Sequence, residues 1–137
     1  MISRYKIALA GLIAFALFGS TAIAEDSKQL KTVKNKSVMI GNFVNARSDC
    51  SSNPGPDPLP ALREKPTNGI VRMQIVVTDV EATANCPARK VPSLALIYTP
   101  KRDFIGTDYV QVEVETGNNN ITALSYRIIV KATTDSL

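Results

Sequence analysis

The sequence contains no histidine, no tryptophan and only two cysteines among its 137 residues. Without histidine, the chain lacks the side chain that most often moves protons near neutral pH, the base of Ser-His-Asp hydrolases and the usual ligand of mixed zinc sites. It also has no G-x-S-x-G turn and no phosphate-binding P-loop. The sequence therefore predicts a protein that is not an enzyme, with no catalytic residue, no cofactor and no metal site.

Carboxylates are the remaining groups that could support acid–base chemistry or hold calcium. Those in predicted turns and loops are Asp79, Glu81, Asp103 and Asp108. Aspartate is common in turns because its side chain hydrogen-bonds nearby backbone groups. Lys101 and Arg102 lie among these acids and would repel a cation. We therefore interpret the four carboxylates as structural.

The N-terminus has the features of a secretory signal peptide. Arg4 and Lys6 precede an unbroken apolar run at residues 7–18, and Ala22-Ile23-Ala24 is a small-x-small cleavage signature. As a helix the run would rise about 18 Å, short of the roughly 30 Å of a membrane core. We predict cleavage after Ala24, no membrane insertion afterwards, and a periplasmic or secreted product.

Loss of the signal peptide changes the charge of the chain. Arg4 and Lys6 leave with residues 1–24, which lowers the formal net charge from +4 to +2 and removes the main argument for nucleic-acid binding. Residues 25–36 are polar and rich in lysine, and predict a solvated N-terminal segment. Residues 37–132 are expected to form one domain and residues 133–137 a short tail.

Both cysteines lie in the part predicted to be exported. Cys50 and Cys86 are an even pair in an oxidising compartment, they form no C-x-x-C motif, and no histidine could complete a zinc site with them. We predict a disulfide between them. On a chain-entropy estimate, closing a loop of about 36 residues stabilises the fold by about 4 kcal/mol.

Most of the remaining chain shows the period of two expected of strands with one buried face. The apolar series are residues 38–44; Val71, Met73, Ile75 and Val77; Leu94, Leu96 and Tyr98; Val110, Val112 and Val114; and Leu124, Tyr126, Ile128 and Val130. Gly41 interrupts the first series and indicates a bulge. Residues 116–120, rich in glycine and asparagine, predict a hairpin turn. The fold class predicted is all-β, a small antiparallel β-sandwich.

Residues 97–114 join two of these strands through a well-defined turn. Pro100 cannot donate to a sheet ladder, Gly106 can take a positive φ, and Asp108 can hydrogen-bond the backbone where pairing resumes. The motif Tyr98-Thr99-Pro100 followed by Phe104-Ile105-Gly106-Thr107-Asp108, with Thr116-Gly117-Asn118 after the next strand, resembles the end of a bacterial cadherin-like or Ig-like repeat. Asn68-Gly69-Ile70-Val71 resembles an earlier strand of such a repeat. The resemblance implies an Ig-like sandwich and a role at the cell surface.

The stretch between the cysteines is rich in proline at residues 54–60 and cannot form a helix or a central strand. A stiff loop loses little entropy on binding, so we predict a partner-binding segment there. Its residues are Pro56, Asp57, Pro58, Leu59 and Pro60. The function predicted is an exported, non-enzymatic sandwich that binds a protein or cell-envelope partner. The alternatives are a structural accessory domain of an envelope assembly and a small inhibitor of an exported hydrolase.

Overall fold

A computed structural model of the protein describes residues 26–116 and 119–136, so the predicted signal peptide at residues 1–24 lies outside the described residues. The strands are β1 (Asp26–Val33), β2 (Val38–Ala46), β3 (Ser52–Pro54), β4 (Ala61–Glu64), β5 (Gly69–Val80), β6 (Arg89–Pro100), β7 (Gly106–Thr116) and β8 (Asn120–Lys131), followed by a 3-10 helix at Thr134–Ser136. One sheet has the order β1-β8-β7-β4 and the other β3-β2-β6-β5. The two sheets pack together, which confirms the predicted all-β sandwich.

The core lies between β7 and β8 on one side and β2 and β6 on the other. Its buried members are Ile40, Leu96, Tyr98, Val110, Val112, Val114, Tyr126, Ile128 and Val130. Burying each large apolar side chain stabilises the fold by about 1.5–3 kcal/mol. The alternation predicted for β7 and β8 is therefore confirmed, because their apolar residues face the core.

Strand β1 corrects the prediction of a solvated segment at residues 25–36. It pairs in parallel with β8 over its whole length, from Asp26 opposite Leu124 to Val33 opposite Lys131. Val33 is 9% exposed, and Leu30 packs against the core. The strand was not predicted because its sequence is rich in lysine and lacks an apolar alternation. An edge strand needs few apolar residues when its backbone hydrogen-bonds to a neighbouring strand. The other described pairings are antiparallel.

Strand β5 also departs from its predicted pattern. Met73, Ile75 and Val77 were expected on a buried face, yet they are 37%, 53% and 70% exposed. The reason is that β5 is an edge strand of twelve residues. Strand β4 lies at the edge of the other sheet. It has only four residues and cannot cover the twelve residues of β5.

A disulfide joins Cys50 and Cys86, as predicted, across a separation of 36 residues. It links the turn after β2 to the loop between β5 and β6. The predicted bulge is also present, since the β2–β6 register shifts between Met39 and Gly41. The hairpin predicted at residues 116–120 is confirmed by the pairing of Thr116 with Asn120. The described residues include no helix with the length and apolar character needed to cross a membrane.

Gly106 opens β7 with a φ of 144°, in the region that favours glycine. A Cβ placed there would lie 3.1 Å from the Phe104 Cζ. Both features follow from the turn that carries the chain from β6 to β7.

We therefore expect Gly106→Val to lower the free energy of unfolding by more than about 1 kcal/mol, through backbone strain and contact with the Phe104 ring. Lys101→Ala in the same turn should change it by less than about 0.5 kcal/mol, because its side chain is exposed. Urea melts of both variants measure the difference. Equal small effects would show that the turn tolerates a side chain at Gly106.

Candidate functional site

The proline-rich segment crosses from one sheet to the other. Strand β3 lies at the edge of one sheet and β4 at the edge of the other, so residues 55–60 span the sandwich between them. Gly55 and Pro60 are buried, whereas Asp57 and Pro58 are exposed and Leu59 is 64% exposed. The Asp57–Pro58 peptide bond is cis. The segment is thus held at both ends and projects its middle into solvent.

Beside this segment lies an open cleft of about 480 Å³. Its lining residues are Asn42, Phe43, Val44, Asn45, Gly55, Pro56, Asp57, Val114 and Glu115. They come from β2, β7 and the crossing segment, so the cleft lies between the two sheets. Phe43 provides an aromatic wall, and Asp57 and Glu115 are the charged side chains of the lining. The cleft can therefore receive an apolar group accompanied by positive charge.

Side-chain hydrogen bonds hold the β2–β3 strand pair and its turn, which precede residues 55–60. Asn45 Nδ2 donates to Asn53 Oδ1 at 2.7 Å, across the β2–β3 pair. In the turn between these strands, the Ser51 hydroxyl and then its backbone N–H hydrogen-bond Asp49 and lower the pKa of that carboxyl. The neighbouring Cys50 carries the disulfide. Hydrogen bonds and the disulfide therefore fix the backbone at this end of the sandwich.

Asp108 is the most buried carboxylate described, at 3% exposure. Its two oxygens accept hydrogen bonds from the backbone N–H groups of Thr67 and Asn68, both at 2.9 Å, and from the Tyr98 hydroxyl at 2.9 Å. Burial raises the pKa of Tyr98, and the hydrogen bond to the Asp108 carboxylate raises it further. The carboxylate is thus occupied by structural donors.

The other carboxylates weighed as calcium ligands lie in separate environments. Asp79 pairs with Lys90 at 2.7 Å. Asp103 accepts a hydrogen bond from Asn35 Nδ2 at 3.1 Å. Within residues 26–116 and 119–136 the structure brings together no group of three or more side chains that could hold a metal ion.

The structure places Pro56 and Asp57 in the lining of the cleft, with Leu59 exposed on the same segment and Pro60 as its buried anchor. Phe43, Asn45 and Glu115 complete the site and were not predicted. Phe43 was assigned to the apolar series at residues 38–44, and Glu115 directly follows the series that ends at Val114. No signal in the sequence indicates that these two strands share one cleft.

No protein-family model matches the chain, and no curated protein matches it significantly.

The Tyr98–Asp108 pair generates a prediction on pH. The pKa of Tyr98 is raised in the folded protein above the unfolded value of about 10. The stabilisation that the Tyr98 hydroxyl contributes is therefore fully present below about pH 10. Above that pH it is lost, by up to about 1.4 kcal/mol per pH unit, because the unfolded chain releases the proton first. Tyr98→Phe removes the titrating group. The stability difference between wild type and Tyr98→Phe should therefore shrink between about pH 8 and about pH 11.

Urea melts at both pH values give this difference. Tyr109→Phe is the matched control, because Tyr109 is 56% exposed. Tyr109→Phe should change the free energy of unfolding at pH 8 by less than about 0.5 kcal/mol, as expected of an exposed residue. A pH-independent effect of Tyr98→Phe would show that the Tyr98 hydroxyl is not held as described.

Proposed function

We propose that the protein is an exported, non-enzymatic binding module that captures a partner protein at the end of the sandwich formed by residues 55–60 and the adjoining cleft. The observation that carries this proposal is Leu59. Its side chain is 64% exposed on a segment whose two ends, Gly55 and Pro60, are buried. A large apolar side chain that is exposed on a segment fixed at both ends is suited to binding a partner protein.

Rigidity supports the proposal. Prolines at positions 54, 56, 58 and 60 restrict the backbone of the segment. The Asn45–Asn53 hydrogen bond holds together β2 and β3, the strand pair that precedes this segment. Little conformational entropy is then lost when a partner binds, so more of the contact energy remains as affinity.

The cleft suggests the chemistry of the partner. Asp57 and Glu115 supply negative charge, and Phe43 supplies an aromatic face. We infer a partner surface that inserts an apolar or aromatic anchor near Leu59 and presents lysine or arginine beside it. The disulfide agrees with an oxidising compartment, and the resemblance to repeats of bacterial surface proteins agrees with a role in the cell envelope.

Capture from cell-envelope extract tests the proposal, with the folded protein lacking residues 1–24 immobilised as bait. Leu59→Ser should bind the captured partner at least about tenfold more weakly, as expected for truncation of an anchor residue. Replacing residues 56–60 with glycine and serine should abolish capture. Circular dichroism and urea melts confirm that both variants fold.

Ile105→Ser is the matched control. Ile105 is 52% exposed but lies just before β7, whereas the cleft is lined by Val114 and Glu115 near the other end of that strand. This variant should capture the partner as wild type does. Unchanged affinity in Leu59→Ser, or equal losses in both variants, would place the binding surface elsewhere.

A further inference from the structure

Strand β5 presents an open edge of twelve residues. It pairs with β6 alone among the described strands, so the backbone groups along its other side pair with no described strand. It also carries more exposed large apolar side chains than any other strand described: Ile70 at 48%, Met73 at 37%, Ile75 at 53% and Val77 at 70%. An edge of this kind pairs readily with another strand.

The usual protections of an edge strand are missing from β5. It has no proline and no lysine, and its register with β6 runs without a bulge from Gly69 to Val80. Its charged residues are Arg72 and Asp79, and Asp79 is already paired with Lys90. The strand is therefore long, regular and nearly uncharged.

The apolar side chains form a row on one face. Val71, Met73, Ile75 and Val77 share a face because they are two residues apart. Val71 and Met73 lie opposite the core residues Tyr98 and Leu96 of β6. The row thus continues the core-facing surface of its sheet out to the open edge.

This row is symmetric about Gln74. When β5 pairs antiparallel with a second β5 about a two-fold axis at Gln74, Val71 lies opposite Val77 and Met73 lies opposite Ile75, so all four apolar residues of each copy meet apolar residues. On the other face Gln74 meets its own copy. An amide carries both donors and an acceptor, so two glutamines can hydrogen-bond each other.

Charge agrees with the same register. Arg72 lies opposite Val76, and Asp79 lies opposite Gly69, so no like charges face each other. In an antiparallel ladder, directly opposite residues alternate between hydrogen-bonded and non-hydrogen-bonded pairs, and a two-fold axis can pass through either kind. The backbone hydrogen-bond pattern therefore permits an axis at Gln74.

We infer that the open edge of β5 binds a second copy of this chain, which joins two four-stranded sheets into one continuous sheet with Gln74 at its two-fold axis. Because the copies run antiparallel, their Cys50–Cys86 ends point in opposite directions. The inference does not depend on the proposed function. It places the two clefts, one in each copy, at opposite ends of the assembly.

Analytical ultracentrifugation from micromolar to submillimolar concentration tests the assembly, using the protein without residues 1–24. Wild type should form a dimer. Ile75→Lys should be monomeric, because each copy would place a charge against Met73 of the other. Ile121→Lys is the control, since Ile121 is 66% exposed on β8, and it should remain dimeric.

Cysteine crosslinking tests the register in protein whose fold is unperturbed. Gln74→Cys should form an intermolecular disulfide, because residues opposite each other have Cβ atoms about 4.5–5.5 Å apart. Val76→Cys should not, since its two copies would lie about 13 Å apart along the strands. A monomeric wild type, a dimer that survives Ile75→Lys, or crosslinking of Val76→Cys in preference to Gln74→Cys would overturn the inference.

Discussion

The buried carboxylate of Asp108 joins the two sheets, and the geometry of the sandwich depends on it. Asp108 lies in β7, Tyr98 lies in β6 of the opposite sheet, and Thr67 belongs to the link between β4 and β5. Removing a carboxylate from water costs several kcal/mol unless hydrogen bonds replace its hydration. Each hydrogen bond to a charged group contributes about 1.5–3 kcal/mol. The site is therefore favourable only when the link, β6 and β7 are all in place.

The position of β5 follows from this arrangement. The link at residues 65–68 is drawn to Asp108, and β5 then begins at Gly69 opposite Pro100. A Cβ at Gly69 would overlap the ring of Tyr98, so the close approach of chain and ring requires glycine. The strand leaves this point along the sheet edge, with its apolar row only partly covered. The contact that joins the two sheets thus also fixes where the open edge begins.

Sequence reasoning predicted the features that depend on local pattern. The alternation at Val110, Val112 and Val114, the positive φ of Gly106 and the disulfide were all readable from the chain. Sequence period shows which residues share a face but not whether another sheet covers it, which is why Ile75 was wrongly expected to be buried. Strand β1 was missed because its ladder with β8 depends on backbone groups that every residue carries.

Only part of the candidate cleft could be assigned from the sequence, and its role in binding stays a prediction. Proline content identified residues 56–60, whereas Phe43 and Glu115 reach the cleft from different sheets and no local signal joins them. For Asp108, turn chemistry predicted a hydrogen bond to the backbone. The most consequential partners, Thr67 and Asn68, lie about 40 residues earlier in the chain, and only the packing of the two sheets brings them together.

Native-state hydrogen exchange of the Thr67 and Asn68 amides tests this central interaction most directly. Thr67 is exposed and lies outside any strand, so without the carboxylate its N–H would exchange with water quickly. If Asp108 joins the sheets as described, both amides should exchange as slowly as the ladder amides of β7 in the wild type and should lose this protection in Asp108→Ala, which removes both acceptor oxygens. Fast exchange of both amides in the wild type would contradict the account.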